Sequence, residues 1–75
     1  MSEETELDAR GLLCPLPVLK AAKRLRGMAA GEVLAVLTDD PAAVIDIPHY
    51  CAESGNTLLS EKARPDGHAF RILKT

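Results

Sequence analysis

Val33-Leu34-Ala35-Val36-Leu37-Thr38-Asp39-Asp40-Pro41 is the stretch on which the fold turns. Its first five residues are an unbroken apolar run of strand length, the pattern of a strand central in a sheet or buried on both faces. Asp39-Asp40-Pro41 then supplies a capping acid and a proline for the first helical position. Beyond it, Val44, Ile47 and Cys51 recur at i, i+3 and i+7, which predicts a helix closing near Ser54 with Gly55 just past its end. Pro48 falls inside that pattern and predicts two pieces, a short first turn and then a main helix capped by Asp46. Thr57 to Ala63 reads as a strand, Arg64-Pro65-Asp66-Gly67 as a turn, and His68 to Lys74 as a second strand. Phe70 and Ile72 alternate with Arg71, so one face of that last strand is core and the other is wet.

Working back from Val33, Gly31 ends a connection. Pro15 to Met28 carries a helical period in Val18, Ala22, Leu25 and Ala29, with Leu19 widening the stripe. Lys20, Lys23, Arg24 and Gly27 share the opposite face, with Arg26 near it. Basic residues toward a helix C-terminus complement its dipole, so a solvated face is the plainer reading and a docking surface for an acidic partner the alternative. Thr5 to Ala9 is a weak strand, and residues 1–4 are expected to fray. The order is β-α-β-α-β-β in a single domain over residues 1–75. This is an α+β two-layer sandwich with two helices on one face of a four-stranded mixed sheet. Helical crossovers make the first three strands parallel, and the hairpin makes the fourth antiparallel.

With 75 residues the core is thin, and with only Tyr50 and Phe70 aromatic it is expected to be aliphatic. A net charge of −2 gives no electrostatic case for nucleic acid. No apolar run approaches the ~20 residues of a membrane span, and the acidic start Met1-Ser2-Glu3-Glu4 is unlike a signal peptide. A cytoplasmic monomer with reduced thiols is therefore expected. Two cysteines make no disulfide framework. Cys14, His49, Cys51 and His68 lack metal-ligand spacing, so neither a metal nor a cofactor is expected.

Chemistry concentrates at Gly11-Leu12-Leu13-Cys14-Pro15-Leu16-Pro17. Prolines are tolerated in a first helical turn, where N–H groups lack intrahelical partners. Cys14 is expected as the N-cap, Pro15 as the first and Pro17 as the third helical residue. A sulfur at the positive end of a helix dipole is favoured as thiolate, which predicts a modestly lowered pKa and a nucleophile. Arg10, four residues earlier, is a further candidate to stabilise that thiolate, though an exposed loop arginine is the commoner outcome. His49 and His68 are expected at an exposed helix position and a strand edge, neither placed as a base. Cys51 lies on the apolar stripe and reads as a small core hydrophobe.

Gly-x-x-Cys-Pro-x-Pro, entered from Leu7-Asp8-Ala9, resembles the signature of the TusA/SirA-like sulfur-carrier family. Asp39-Asp40-Pro41-Ala42 and Asp46-Ile47-Pro48 resemble it at the matching distance downstream, and the similarity runs from about Leu7 to the last strand. The resemblance implies the same sandwich and a carrier that relays persulfide sulfur on Cys14. It implies a cysteine desulfurase or rhodanese-like donor and a TusD/DsrE-like acceptor. It implies use in tRNA 2-thiouridine synthesis, cofactor sulfur supply or sulfur oxidation, without choosing among them. Two other readings stay open: a thiol-disulfide switch pairing Cys14 with Cys51, and a regulatory binding module.

Overall fold

The computed structural model describes residues 4–75. The elements run β1 (Glu4–Asp8), α1 (Leu16–Arg26), β2 (Val33–Thr38), α2 (Ala43–Ser54), β3 (Thr57–Arg64) and β4 (Gly67–Leu73). The expected fraying of residues 1–3 lies outside the described residues. Glu4, expected to fray with them, opens β1 and accepts a hydrogen bond from Arg71 Nε at 2.6 Å.

The four strands form one mixed sheet in the order β1-β2-β4-β3. β1 and β2 pair in parallel, while β4 runs antiparallel to both β2 and β3. Strand directions are those expected, but only β1 and β2 make a parallel pair. The crossover through α2 skips one place in the sheet, and the returning hairpin strand fills it. Composition explains the choice: β4 carries the fully buried Phe70 and Ile72, whereas β3 carries Ser60, Glu61 and Lys62 and sits at the edge. Charged residues on an edge strand also discourage pairing with another chain.

Leu34, Val36, Phe70 and Ile72 present one face of the sheet to Ala21 and Leu25 of α1 and to Ala43, Ile47 and Cys51 of α2. That core is aliphatic except for Phe70, with Tyr50 packed at its margin. On α1 the buried residues are Pro17, Ala21, Ala22 and Leu25. The stripe is thus rotated from the one expected, leaving Leu19 exposed and Ala29 beyond the helix end.

Both helix starts differ from the sequence reading. α1 begins at Leu16, with Pro15 as N-cap and Pro17 as the second helical residue, so Cys14 lies one position outside the cap. A turn closed by Leu16 N–H donating to Leu13 O at 2.8 Å holds Cys14 and Pro15 off the helical path. α2 begins at Ala43 after a turn in which Ala43 N–H donates to Asp40 O, so Pro41 precedes the helix instead of opening it. α2 also runs unbroken through Pro48, not as two pieces. Ala43, Ile47 and Cys51, buried on either side of the proline, hold one continuous axis against the sheet. Gly55 ends the helix in the left-handed conformation, φ 82°, as its position predicts.

Candidate functional site

Parallel pairing of β1 with β2 places Asp8 beside Leu37, so the segments leaving both strands emerge at the same end of the sheet. One is the approach Ala9–Pro15 into α1; the other is Asp39–Ala42 into α2. The pairing of Thr38 with His68 brings the β3–β4 turn to that end as well. Three segments remote in sequence therefore meet at the carboxyl edge of the parallel pair, where α/β folds commonly hold chemistry.

Cys14 is exposed there. Its Sγ lies 2.8 Å from Asp46 Oδ2, with the thiol donating to the carboxylate. Its backbone N–H donates to Asp40 Oδ2, and Gly11 N–H donates to Asp39 Oδ1 at 2.9 Å. Asp40 also accepts from Ala42 N–H at 3.1 Å, so one carboxylate joins the start of α2 to the approach to α1. Gly11 takes φ 84°, which lets the chain turn into this contact.

These contacts reverse the expected electrostatics of the sulfur. The hydrogen bond to Asp46 raises the Cys14 pKa first, followed by desolvation and by the negative charges of Asp46 and Asp40. A carboxylate that accepts the thiol proton stabilises the neutral form, and a second like charge opposes the thiolate. Both carboxylates come from α2 and its preceding loop, and each favours the thiol over the thiolate.

Arg10 does not reach the sulfur. Its Nε donates to Asp8 at 2.8 Å and its Nη1 donates to Asp66 of the β3–β4 turn at 2.7 Å. The guanidinium holds the Asp8 carboxyl down to about 2 and lowers that of Asp66. His49 is exposed, with Nε2 2.8 Å from Glu53 Oε1. His68 is the second residue of β4, a strand central in the sheet, and stacks on Phe70. Cys51 is 2% exposed in the core, and its burial pushes the thiol pKa up.

Cys14 forms one wall of a groove of about 250 Å³, with Pro15 and Val18 from α1 and Asp46, His49, Tyr50 and Glu53 from α2. Leu13, Leu16 and Ile45, neighbours in sequence of Cys14 and Asp46, are 70%, 47% and 74% exposed. A separate groove of about 590 Å³ runs between α1 and β1, bordered by Lys20, Lys23 and Arg24. The pairing of Asp46 with Cys14 is the feature that sequence reasoning missed. Its signal was the second acidic segment, read for helix capping and for its resemblance to the family but not as a partner of the sulfur. Among the described residues no helix is long and apolar enough to cross a membrane, and none of the His, Cys, Asp and Glu side chains cluster to hold a metal.

A similar fold occurs in the crystal structure of a SirA-like protein from Desulfitobacterium hafniense. The TM-score is 0.78 at 26% identity, covering 92% of this chain and 93% of that one. The sulfur carrier protein TusA of Allochromatium vinosum is 42% identical over 72 residues, 96% of this chain and 95% of that protein. The family described as sulfurtransferase TusA matches residues 5–74. With nearly the whole chain matched in sequence and in fold, this protein belongs to the TusA family of sulfur carriers.

Proposed function

We propose that Cys14 is the sulfur-bearing residue, and that it takes sulfane sulfur from a cysteine desulfurase or rhodanese-like donor and yields it to a TusD/DsrE-like acceptor. The observation that carries this reading is the setting of the sulfur. Cys14 is an exposed thiol at the meeting point of three segments, with the exposed Leu13 and Leu16 close to it in sequence and the exposed Ile45 next to its partner Asp46. Exposed apolar side chains around a reactive group suit a surface that a partner covers. In the transfer, the Cys14 sulfur attacks the outer sulfur of the donor persulfide R–S–SH. A new S–S bond forms on Cys14, the donor S–S bond breaks, and the donor sulfur leaves with the electron pair. The proton lost from Cys14 ends on the donor thiolate, so a persulfide and a thiol exchange with no external oxidant or reductant. Attack by an acceptor thiolate on the same outer sulfur reverses the roles. We place this relay in the cytoplasm, where thiols stay reduced.

Incubation with a cysteine desulfurase, cysteine and pyridoxal phosphate should add the mass of one sulfur atom to the chain. Cys14→Ser should abolish the gain, since a hydroxyl holds no persulfide. Sulfur recovered on Cys51 would overturn the assignment. A disulfide switch with Cys51 is the weaker reading because that thiol is buried in the core. Free-thiol counts after oxidation test it.

A further inference from the structure

A carrier thiol that is too easily ionised would be alkylated or oxidised before meeting its donor, whereas one that never ionises could not attack. The groove around Cys14 holds a device for both states. The thiol proton is committed to Asp46 Oδ2 at 2.8 Å, from the first turn of α2. Asp40, on the loop before that helix, binds the Cys14 backbone N–H. From α1 and its N-cap, the groove receives only the apolar Val18 and Pro15; its other titratable lining, all from α2, is Tyr50 with His49 and Glu53, the last two facing one another at 2.8 Å. Arg10 is held by Asp8 and Asp66. The titratable groups bonded to Cys14 are thus two carboxylates, neither engaged in an ion pair with a described residue.

We propose that Asp46 latches Cys14 as a protonated thiol in the free chain, and that a positively charged group on the sulfur-delivering partner releases it by pairing with the Asp46 and Asp40 carboxylates. A cation placed there withdraws the acceptor from the thiol proton and cancels the two charges that oppose a thiolate. Attack then becomes conditional on docking. The inference rests on Cys14 being the sulfur-bearing residue, but its test needs no sulfur donor, so failure of the latch and failure of that assignment are told apart.

Two readouts test it, each mapped to Cys14 by peptide mass. The first is the rate of iodoacetamide alkylation against pH for the wild type and Asp46→Asn. Asparagine carries no charge and offers the thiol only a neutral, weaker acceptor, so the profile should move to lower pH. Each unit of that move raises the thiolate fraction at pH 7 about tenfold and lowers reactivity per thiolate about threefold, for a net gain of about threefold. The second compares cationic and anionic methanethiosulfonates of matched size. The thiolate displaces methanesulfinate from either reagent and forms a mixed disulfide. The wild type should favour the cationic reagent severalfold at low salt, and the preference should shrink at 1 M salt, where screening acts within about 3 Å. Asp46→Asn should reduce that preference. Glu61→Gln, which removes the same charge from β3 outside the groove, should leave it in place. An unmoved pH profile in folded Asp46→Asn would overturn the latch. So would a wild type that does not prefer the cationic reagent, a result available even if the variant fails to fold.

Discussion

At the scale of single residues, the two cysteines have raised pKa values for different reasons, and the contrast separates structure from chemistry. Cys51 is raised by burial alone, whereas Cys14 is raised first by an acceptor bonded to its proton. Cys51→Ala should therefore cost about 1 kcal/mol, the scale of a small core cavity, and leave sulfur loading intact. A urea midpoint and the intact mass after loading check both halves. Loading lost at an unchanged midpoint would give Cys51 a chemical role. The role of Cys51 was legible because an apolar stripe specifies burial from neighbours three and four residues away. The protonation state of Cys14 was not. Its helix dipole is local, but the carboxylate that opposes it lies 32 residues downstream, and nothing in a linear pattern brings the two together.

At the scale of elements, the α2 segment shows tertiary packing overriding a local rule. An interior proline withholds the N–H that would reach the carbonyl four residues back, and in a helix interior it costs about 3 kcal/mol relative to alanine. Pro48 nevertheless sits mid-helix because buried residues on both sides anchor one axis. Pro48→Ala restores the bond to Val44 while losing up to about 1 kcal/mol of restraint on the unfolded chain. A net gain of about 1–2 kcal/mol in unfolding free energy, read from a higher denaturation midpoint, is expected. A fall would show that the packing of the half-buried ring outweighs the missing donor. Helix ends followed the sequence where one residue decides them, as at Gly55. They shifted by one or two residues at Pro15 and Pro41, where a preceding turn competes for the same backbone. Strand neighbours were less legible still, since alternation in β4 reports a buried face but not which strands lie beside it.

For the whole molecule, the end of the sheet that carries Cys14 is closed by the β3–β4 turn, which ties the site to the fold in two ways. The Arg10 guanidinium joins the β1 exit to that turn through Asp8 and Asp66. Both carboxyls are held below their usual range, Asp8 at about 2. Their contribution to stability is therefore present above about pH 4 and lost as pH falls toward 2. Arg10→Gln should lower the midpoint slightly at pH 7, and the difference from wild type should shrink as pH falls toward 2 and disappear below it. The groups are half exposed, so added salt should shrink it too.

The second tie is steric. Gly67 has φ 141°, and a Cβ there would stand 2.1 Å from Thr38 O and 2.9 Å from Asp39 Cα. Both contacts are backbone, so no side-chain rotation relieves them. Gly55 offers the comparison: its φ of 82° is also strained for an L residue, but a Cβ there meets nothing within 4 Å. Gly55→Ala should cost about 1 kcal/mol from backbone strain alone and leave Cys14 unaltered. Gly67→Ala carries strain and collision together and should cost more than about 2 kcal/mol. It must also push on Thr38 and Asp39, whose neighbours bind Gly11 and Cys14 through the Asp39 and Asp40 carboxylates. A Gly67→Ala protein, assayed below its melting temperature, should show a shifted alkylation profile at Cys14, and Gly55→Ala should not. Equal midpoints and equal profiles for the two variants would show that the turn yields without moving the acidic loop, and that the site is mechanically independent of the hairpin.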